Sequence, residues 1–218
     1  MGDTLVRNLA IPLAQVLVVL GVASGAVAYM TLIERKILPF MQLRLSPRRV
    51  GPHGILQPIA DGIKLLIKED ITPTNADRLL FTLAPILTVL PAFTALSVIP
   101  FSGGGKFTLF GYDFFPWIAD VNVGVVFLLA ISSLGIYGIM LGGWASNSKY
   151  PMLGALRSAA QMVSYEVPFG LSIVGVLMLS GTASMVGIVE AQREAHIWYF
   201  VPQCLGLFIF FISGVAET

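Results

Sequence analysis

Three glutamates lie within or at the end of apolar segments, where an ionisable side chain is costly. Glu166 stands in an otherwise uncharged stretch, roughly 13 Å of helix beyond Arg157. A carboxyl group at such a depth usually faces a bundle interior or a water-filled path, which favours a functional role. Glu34 and Glu217 each close an apolar segment. The three glutamates are therefore candidates for a proton path. For Glu34 and Glu217 singly, an interfacial charge at a helix end is the alternative.

A proline two residues after Glu166 leaves a backbone carbonyl near the carboxyl group without its usual hydrogen-bond donor. Pro168 has no N–H, so the carbonyl of Ser164 loses its usual helical donor and can bind water or a proton carrier. The alternative is a Glu166 carboxyl that is merely satisfied by a neighbouring helix.

The basic residues are concentrated between the first and second apolar segments. That loop holds eight of the thirteen lysines and arginines: Arg35, Lys36, Arg44, Arg48, Arg49, Lys64, Lys68 and Arg78. Since loops on the cytoplasmic side keep positive charge, the loop is predicted to face inward, with the N-terminus outside and Thr218 inside. The preference of cytoplasmic loops for positive charge would by itself explain the arginines, without any further function.

Residues 55–68 within this loop separate into an apolar and a polar face when wound at helical period. The polar face holds Gln57, Asp61, Lys64 and Lys68. This pattern predicts an amphipathic helix lying along the membrane surface. A solvated polar face with weak ion pairs is the plainer interpretation.

The elements that must position these residues are membrane spans. Hydrophobic residues make up 56% of the chain, charged residues 11%, and the mean hydropathy is +0.84, which excludes a soluble domain. Five segments are long enough to cross the bilayer, which requires roughly 20 apolar residues. We therefore predict an all-α integral membrane protein forming a single transmembrane domain over residues 1–218, with spans at about 9–33, 79–100, 121–143, 156–179 and 197–217.

Several other classes of site are excluded by the sequence. The one cysteine, Cys204, lies in an apolar run, so we expect no metal site and no redox cofactor held by this chain. His53 and His196 are predicted on opposite sides of the membrane and cannot ligate one haem iron. The basic loop holds a single Phe, Tyr or Trp residue, Phe40, too few to interleave with its eight cations, which argues against a nucleic-acid partner.

Particular strings of residues resemble a known family. They read ERK at 34–36, QLR at 42–44, VGPHG at 50–54, QPIADGIK at 57–64, GWASNSKY at 143–150, GALR at 154–157, AQ at 160–161, SYE at 164–166 and AET at 216–218. In this order and spacing they are similar to the membrane-embedded H subunit of NADH-quinone oxidoreductase, the mitochondrial NADH dehydrogenase subunit 1 family.

The resemblance implies a function for the inner loop and for the glutamates. It implies that Arg35, Arg44, Asp61 and Lys64 line a cavity entered by the quinone headgroup, and that Glu34, Glu166 and Glu217 lie on an acidic path into the membrane arm. No residue of this chain is implied to be catalytic. FMN and iron-sulfur clusters are expected in partner subunits, among them an iron-sulfur subunit at the inner face, beside other membrane-arm subunits.

Two features depart from the family pattern. Ser46-Pro47-Arg48 stands where the family usually has Gly-Pro-Asn, adding a positive charge at the cavity mouth. The family also continues with an acidic inner loop and further spans, so the chain is expected to be truncated.

Alternative functions remain open on the sequence. They are the homologous membrane subunit of a related hydrogenase or other dehydrogenase, a secondary transporter, and a passive membrane anchor. With no transit peptide preceding the first span, we expect a multi-pass protein of a bacterial inner membrane.

Overall fold

The computed structural model describes residues 11–48, 50–102, 107–109 and 112–217, except for the side chains of residues 107, 109, 112–114 and 217. Its helices are α1 (Ile11–Met41), α2 (Gln57–Ile67), α3 (Arg78–Ala95), α4 (Gly124–Ala145), α5 (Lys149–Ser180), α6 (Met185–Ala195) and α7 (Cys204–Glu217). Short 3-10 turns span Pro52–Gly54 and Leu96–Val98, and an antiparallel hairpin pairs β1 (Phe107–Leu109) with β2 (Tyr112–Phe114). The predicted helical membrane architecture is confirmed, and the hairpin is an addition to it.

Four helices are long and apolar enough to cross a membrane: α1, α3 with its 3-10 extension to Val98, α4 and α5. The fifth predicted span, 197–217, is shorter in the structure. α7 begins at Cys204 and has 14 residues, about 21 Å of helix against about 30 Å of hydrocarbon. The helix starts late because His196 adopts a left-handed conformation and Pro202, two residues before α7, cannot donate a backbone hydrogen bond.

The backbone divides into two compact units, one of Pro12–Ile71 and one that joins Ile11 to the described chain from Thr72 onward. One transmembrane domain over the whole chain remains a prediction.

In the first unit, α1 continues beyond its predicted end at residue 33. It runs through Glu34 and Arg35 to Met41, with Pro39 in its last turn, where a missing N–H costs little of the helix ladder. Leu43 then turns to a positive φ of 54°, and the Arg44 N–H donates to the Pro39 carbonyl at 2.8 Å. Glu34 therefore lies about two turns inside the helix and does not close it.

The connection from α1 to α2 is shaped by glycine. Gly54 has φ of 78°, and a Cβ added there would collide with the carbonyl oxygen of Pro47. α2 then begins with Pro58 in its first turn and ends where Lys68 becomes extended. It lies within the predicted range 55–68.

In the second unit, small residues let neighbouring helices approach closely. A Cβ on Gly138 of α4 would lie 2.7 Å from the Ala84 carbonyl oxygen and 2.9 Å from the Thr88 nitrogen of α3. A Cβ on Gly143 would lie 2.9 Å from the Pro151 carbonyl oxygen. These close contacts fix how α4 is set against both neighbours.

At the opposite end of α4 from Gly143, a helix absent from the sequence prediction completes the unit. Ser184 caps α6 by accepting from the Gly187 N–H at 3.2 Å, and its hydroxyl donates to Asp120 at 2.8 Å. Val125 at the start of α4, Ile188 and Tyr199 form the small buried core beneath it.

We predict that alanine has different effects at two glycines of α4. Gly138→Ala should destabilise the protein by about 1–3 kcal/mol, because the new methyl group overlaps the α3 backbone. Gly135 faces open space, so Gly135→Ala should be neutral or stabilise by up to about 1 kcal/mol through helix propensity. Thermal unfolding midpoints of the two purified variants test this difference, and equal midpoints would contradict the α3–α4 contact.

Candidate functional site: two partnered carboxylates

Asp61 is the centre of a polar cluster in the first unit. Arg35 of α1 donates to Asp61 Oδ2 at 2.5 Å, and Gln57, one turn earlier on α2, donates to Oδ1 at 3.3 Å. The Arg35 side chain is 53% exposed and that of Asp61 32%. The ion pair therefore joins α1 to α2 at a surface that a polar ligand can reach.

The other two predicted quinone-site residues are near this cluster in sequence, and both are exposed. Arg44 is exposed and lies just after α1. Lys64 is exposed on α2, three residues after Asp61. In the described part of the first unit, the salt bridge of Asp61 is with Arg35 of α1.

Glu166 is partly buried on α5 and is held from the neighbouring helix. The Ser133 hydroxyl of α4 donates to Glu166 Oε1. One helical turn further along, Leu129 of α4 faces Gly170 of α5, where an added Cβ would lie 3.9 Å from the leucine side chain. The two helices are thus antiparallel and in register at this point, so the pairing follows from the packing.

This contact corresponds to the alternative considered for Glu166, a carboxyl group satisfied by a neighbouring helix. It does not exclude proton exchange, because a carboxyl group hydrogen-bonded to a hydroxyl can be ionised or protonated. Pro168 lies inside α5, one turn after Ser164, and has no N–H. The Ser164 carbonyl therefore lacks the donor that it would have in a regular helix.

Glu217 is the last residue of α7, and its side chain lies outside the described part of the structure. The backbone before it is tied to α5, since Gln161 donates its amide to the Ala216 carbonyl at 2.8 Å. Gln161 precedes Glu166 by about 7–8 Å of helix. The end of α7 is therefore close to the part of α5 that holds Glu166.

Glu34 is exposed on α1 in the first unit. The structure thus brings Arg35 together with Asp61, and Glu166 of α5, the helix that also contacts the end of α7, together with Ser133. These two sets belong to separate units.

Sequence reasoning missed Ser133 and Gln161 as site residues. The polar pair Ser132-Ser133 within apolar α4 was the available signal for the first. Gln161 falls among the resembling strings, but its bond to α7 requires the fold. Among the described residues, no cluster of three or more histidine, cysteine or acidic side chains could hold a metal ion.

Long apolar helices that carry partnered ionisable groups define a multi-pass helical membrane protein. The family model for NADH dehydrogenase matches residues 14–218. The chain belongs to this family.

Curated relatives agree with the family match. The chain is 52% identical over 213 residues to the NADH-quinone oxidoreductase H subunit 1 of Koribacter versatilis, covering 93% of this chain and 47% of that protein. It is 51% identical over 220 residues to the H subunit of Deinococcus radiodurans, covering 100% of this chain and 54% of the relative. The Rhodospirillum rubrum H subunit is 51% identical over 195 residues, covering 89% and 54%. The chain spans about half the length of these relatives.

We predict a measurable coupling between Arg35 and Asp61. In a double-mutant cycle with Arg35→Ala and Asp61→Ala, the coupling energy should be about 0.2–1 kcal/mol, as for other solvent-exposed ion pairs. Chemical unfolding of the purified protein in detergent gives the four free energies. A second cycle pairing Asp61→Ala with Lys64→Ala is the control and should give a smaller coupling. Equal coupling in both cycles would refute the specific α1–α2 ion pair.

Proposed function

We propose that this chain forms part of the membrane subunit of a proton-translocating NADH-quinone oxidoreductase, contributing to the quinone cavity and to the acidic path that couples quinone reduction to proton pumping. The observation that carries the proposal is Glu166, an ionisable group inside a long apolar helix and hydrogen-bonded to Ser133 of the next helix. The family match over residues 14–218 supports the same function.

The quinone-binding part of the proposal concerns Arg35, Arg44, Asp61 and Lys64. A quinone headgroup offers two carbonyl oxygens as acceptors, and its reduction to quinol takes up two electrons and two protons. Exposed cationic donors beside a carboxylate suit both needs, because cations bind the oxygens and the carboxylate can exchange protons. The partial exposure of the Arg35–Asp61 pair supports this role.

The proton path is proposed to include Glu34, Glu166 and Glu217. The bond from Gln161 to the Ala216 carbonyl supports pairing the end of α7 with the segment of α5 that precedes Glu166. The Ser164 carbonyl, which Pro168 leaves without a helical donor, provides a further acceptor for water along this stretch.

Partners, cofactors and membrane placement complete the proposal. Electrons would reach the quinone from an iron-sulfur subunit docked on the basic inner loop, with FMN and the iron-sulfur clusters held in partner subunits. The acidic path would link quinone reduction to the other subunits of the membrane arm. The complex would lie in a bacterial inner membrane with the N-terminus of this chain outside. The names of the relatives support a quinone enzyme over a related hydrogenase.

We predict that neutralising either carboxylate impairs the assembled complex. Asp61→Asn should lower quinone reductase activity, and Glu166→Gln should lower proton pumping, each by on the order of tenfold or more, because each removes a group that exchanges protons. Quinone reduction and vesicle acidification are measured in parallel, with assembly checked on native gels.

Matched controls are available for both positions. Asp70→Asn changes an exposed aspartate shortly after α2, and Glu194→Gln changes an exposed glutamate of α6. Both should retain activity and pumping. Normal turnover and pumping in both Asp61→Asn and Glu166→Gln would reject the cavity and path, and would leave a passive membrane anchor.

A further inference from the structure

Ser133 has two acceptors for its one hydroxyl hydrogen. Its Oγ lies 2.9 Å from the Leu129 carbonyl oxygen of its own helix and also contacts Oε1 of Glu166 on α5. A serine hydroxyl carries a single donor and two acceptor lone pairs. Rotation about the Cβ–Oγ bond therefore decides which acceptor receives the hydrogen.

The charge of Glu166 determines which way the Ser133 hydroxyl hydrogen turns. An ionised carboxylate only accepts, so the Ser133 hydroxyl turns toward it. A protonated carboxyl can donate to Ser133 Oγ, and the serine hydrogen then turns to the Leu129 carbonyl. Both states leave the carboxyl group hydrogen-bonded in apolar surroundings, where an unmet polar group is costly.

We infer that Ser133 is a positioning residue that holds the Glu166 carboxyl through both of its protonation states by redirecting one hydroxyl hydrogen. This inference rests on the proposed function, in which Glu166 gains and loses a proton during turnover. Ser133 itself gains and loses no net proton. The proton on Glu166 arrives and leaves along the path, and only the orientation of the serine hydroxyl changes.

The neighbouring serine provides a matched comparison. Ser132 Oγ donates to the same Leu129 carbonyl at 2.8 Å, and Ser132 is exposed. As the neighbouring residue of the helix, it is rotated about 100° around the axis from Ser133. Ser132→Ala therefore removes the same atoms from the same turn of α4 without touching the Glu166 contact.

The test is infrared difference spectroscopy of quinone reduction by the assembled complex in membranes. The carbonyl stretch of protonated Glu166 is identified as the band that Glu166→Gln removes. Ser133→Ala should move this band to higher frequency and lower the pumping rate about tenfold, as expected for loss of a hydrogen bond to an ionisable group. Ser133→Thr, which keeps a hydroxyl, should restore both, and Ser132→Ala should leave both unchanged.

Two negative outcomes are distinguishable. A Glu166 band that stays in place in Ser133→Ala, with pumping retained, overturns the role of Ser133 alone. If the difference spectra of the wild type and of Glu166→Gln are identical, Glu166 does not change its protonation during quinone reduction. This result overturns the proposed proton path and, with it, the role of Ser133. Native gels and the Ser133→Thr variant separate either result from a failure to assemble.

Discussion

A carboxyl group among apolar helices needs a hydrogen-bond partner, because an unmet polar group is costly there, and the packing of α4 against α5 meets this requirement at Glu166. Asp61 is met by Arg35 and Gln57 near the surface, and Glu166 is met by Ser133 between two long apolar helices. The two solutions differ in kind. A half-exposed ion pair keeps both charges and remains open to a ligand, whereas a hydroxyl partner tolerates either protonation state of the carboxyl.

The second solution depends on backbone packing. Glycines at the α4 interfaces remove the side chains that would hold the helices apart, and the resulting register brings Ser133 opposite Glu166. The Gln161 bond sets the end of α7 against the same helix. Helices in a bilayer gain little from burying apolar side chains against one another, so close approach of small residues and interhelical hydrogen bonds contribute a larger share of their association.

Much of the fold could be predicted from sequence because membrane spans have a strong compositional signal. Hydropathy found the four long helices, and the two-faced pattern of residues 55–68 found α2. It could not find the end of α1, because residues 34–41 remain helical after the apolar run stops. It also missed α6, where Ser184 at the start of the helix donates to a residue distant in sequence, Asp120. Candidate acids were identifiable singly, yet Ser133 and Arg35 could be assigned as their partners only once the helices were packed.

The most direct measurement is photoaffinity labelling of the assembled complex in membrane vesicles with an azido-quinone, followed by peptide mapping. The quinone assignment predicts a label within residues 35–64 that excess unmodified quinone displaces, with no displaceable label on α6. A displaceable label found only on partner subunits, or on segments of this chain outside 35–64, would contradict a quinone cavity built around Arg35 and Asp61.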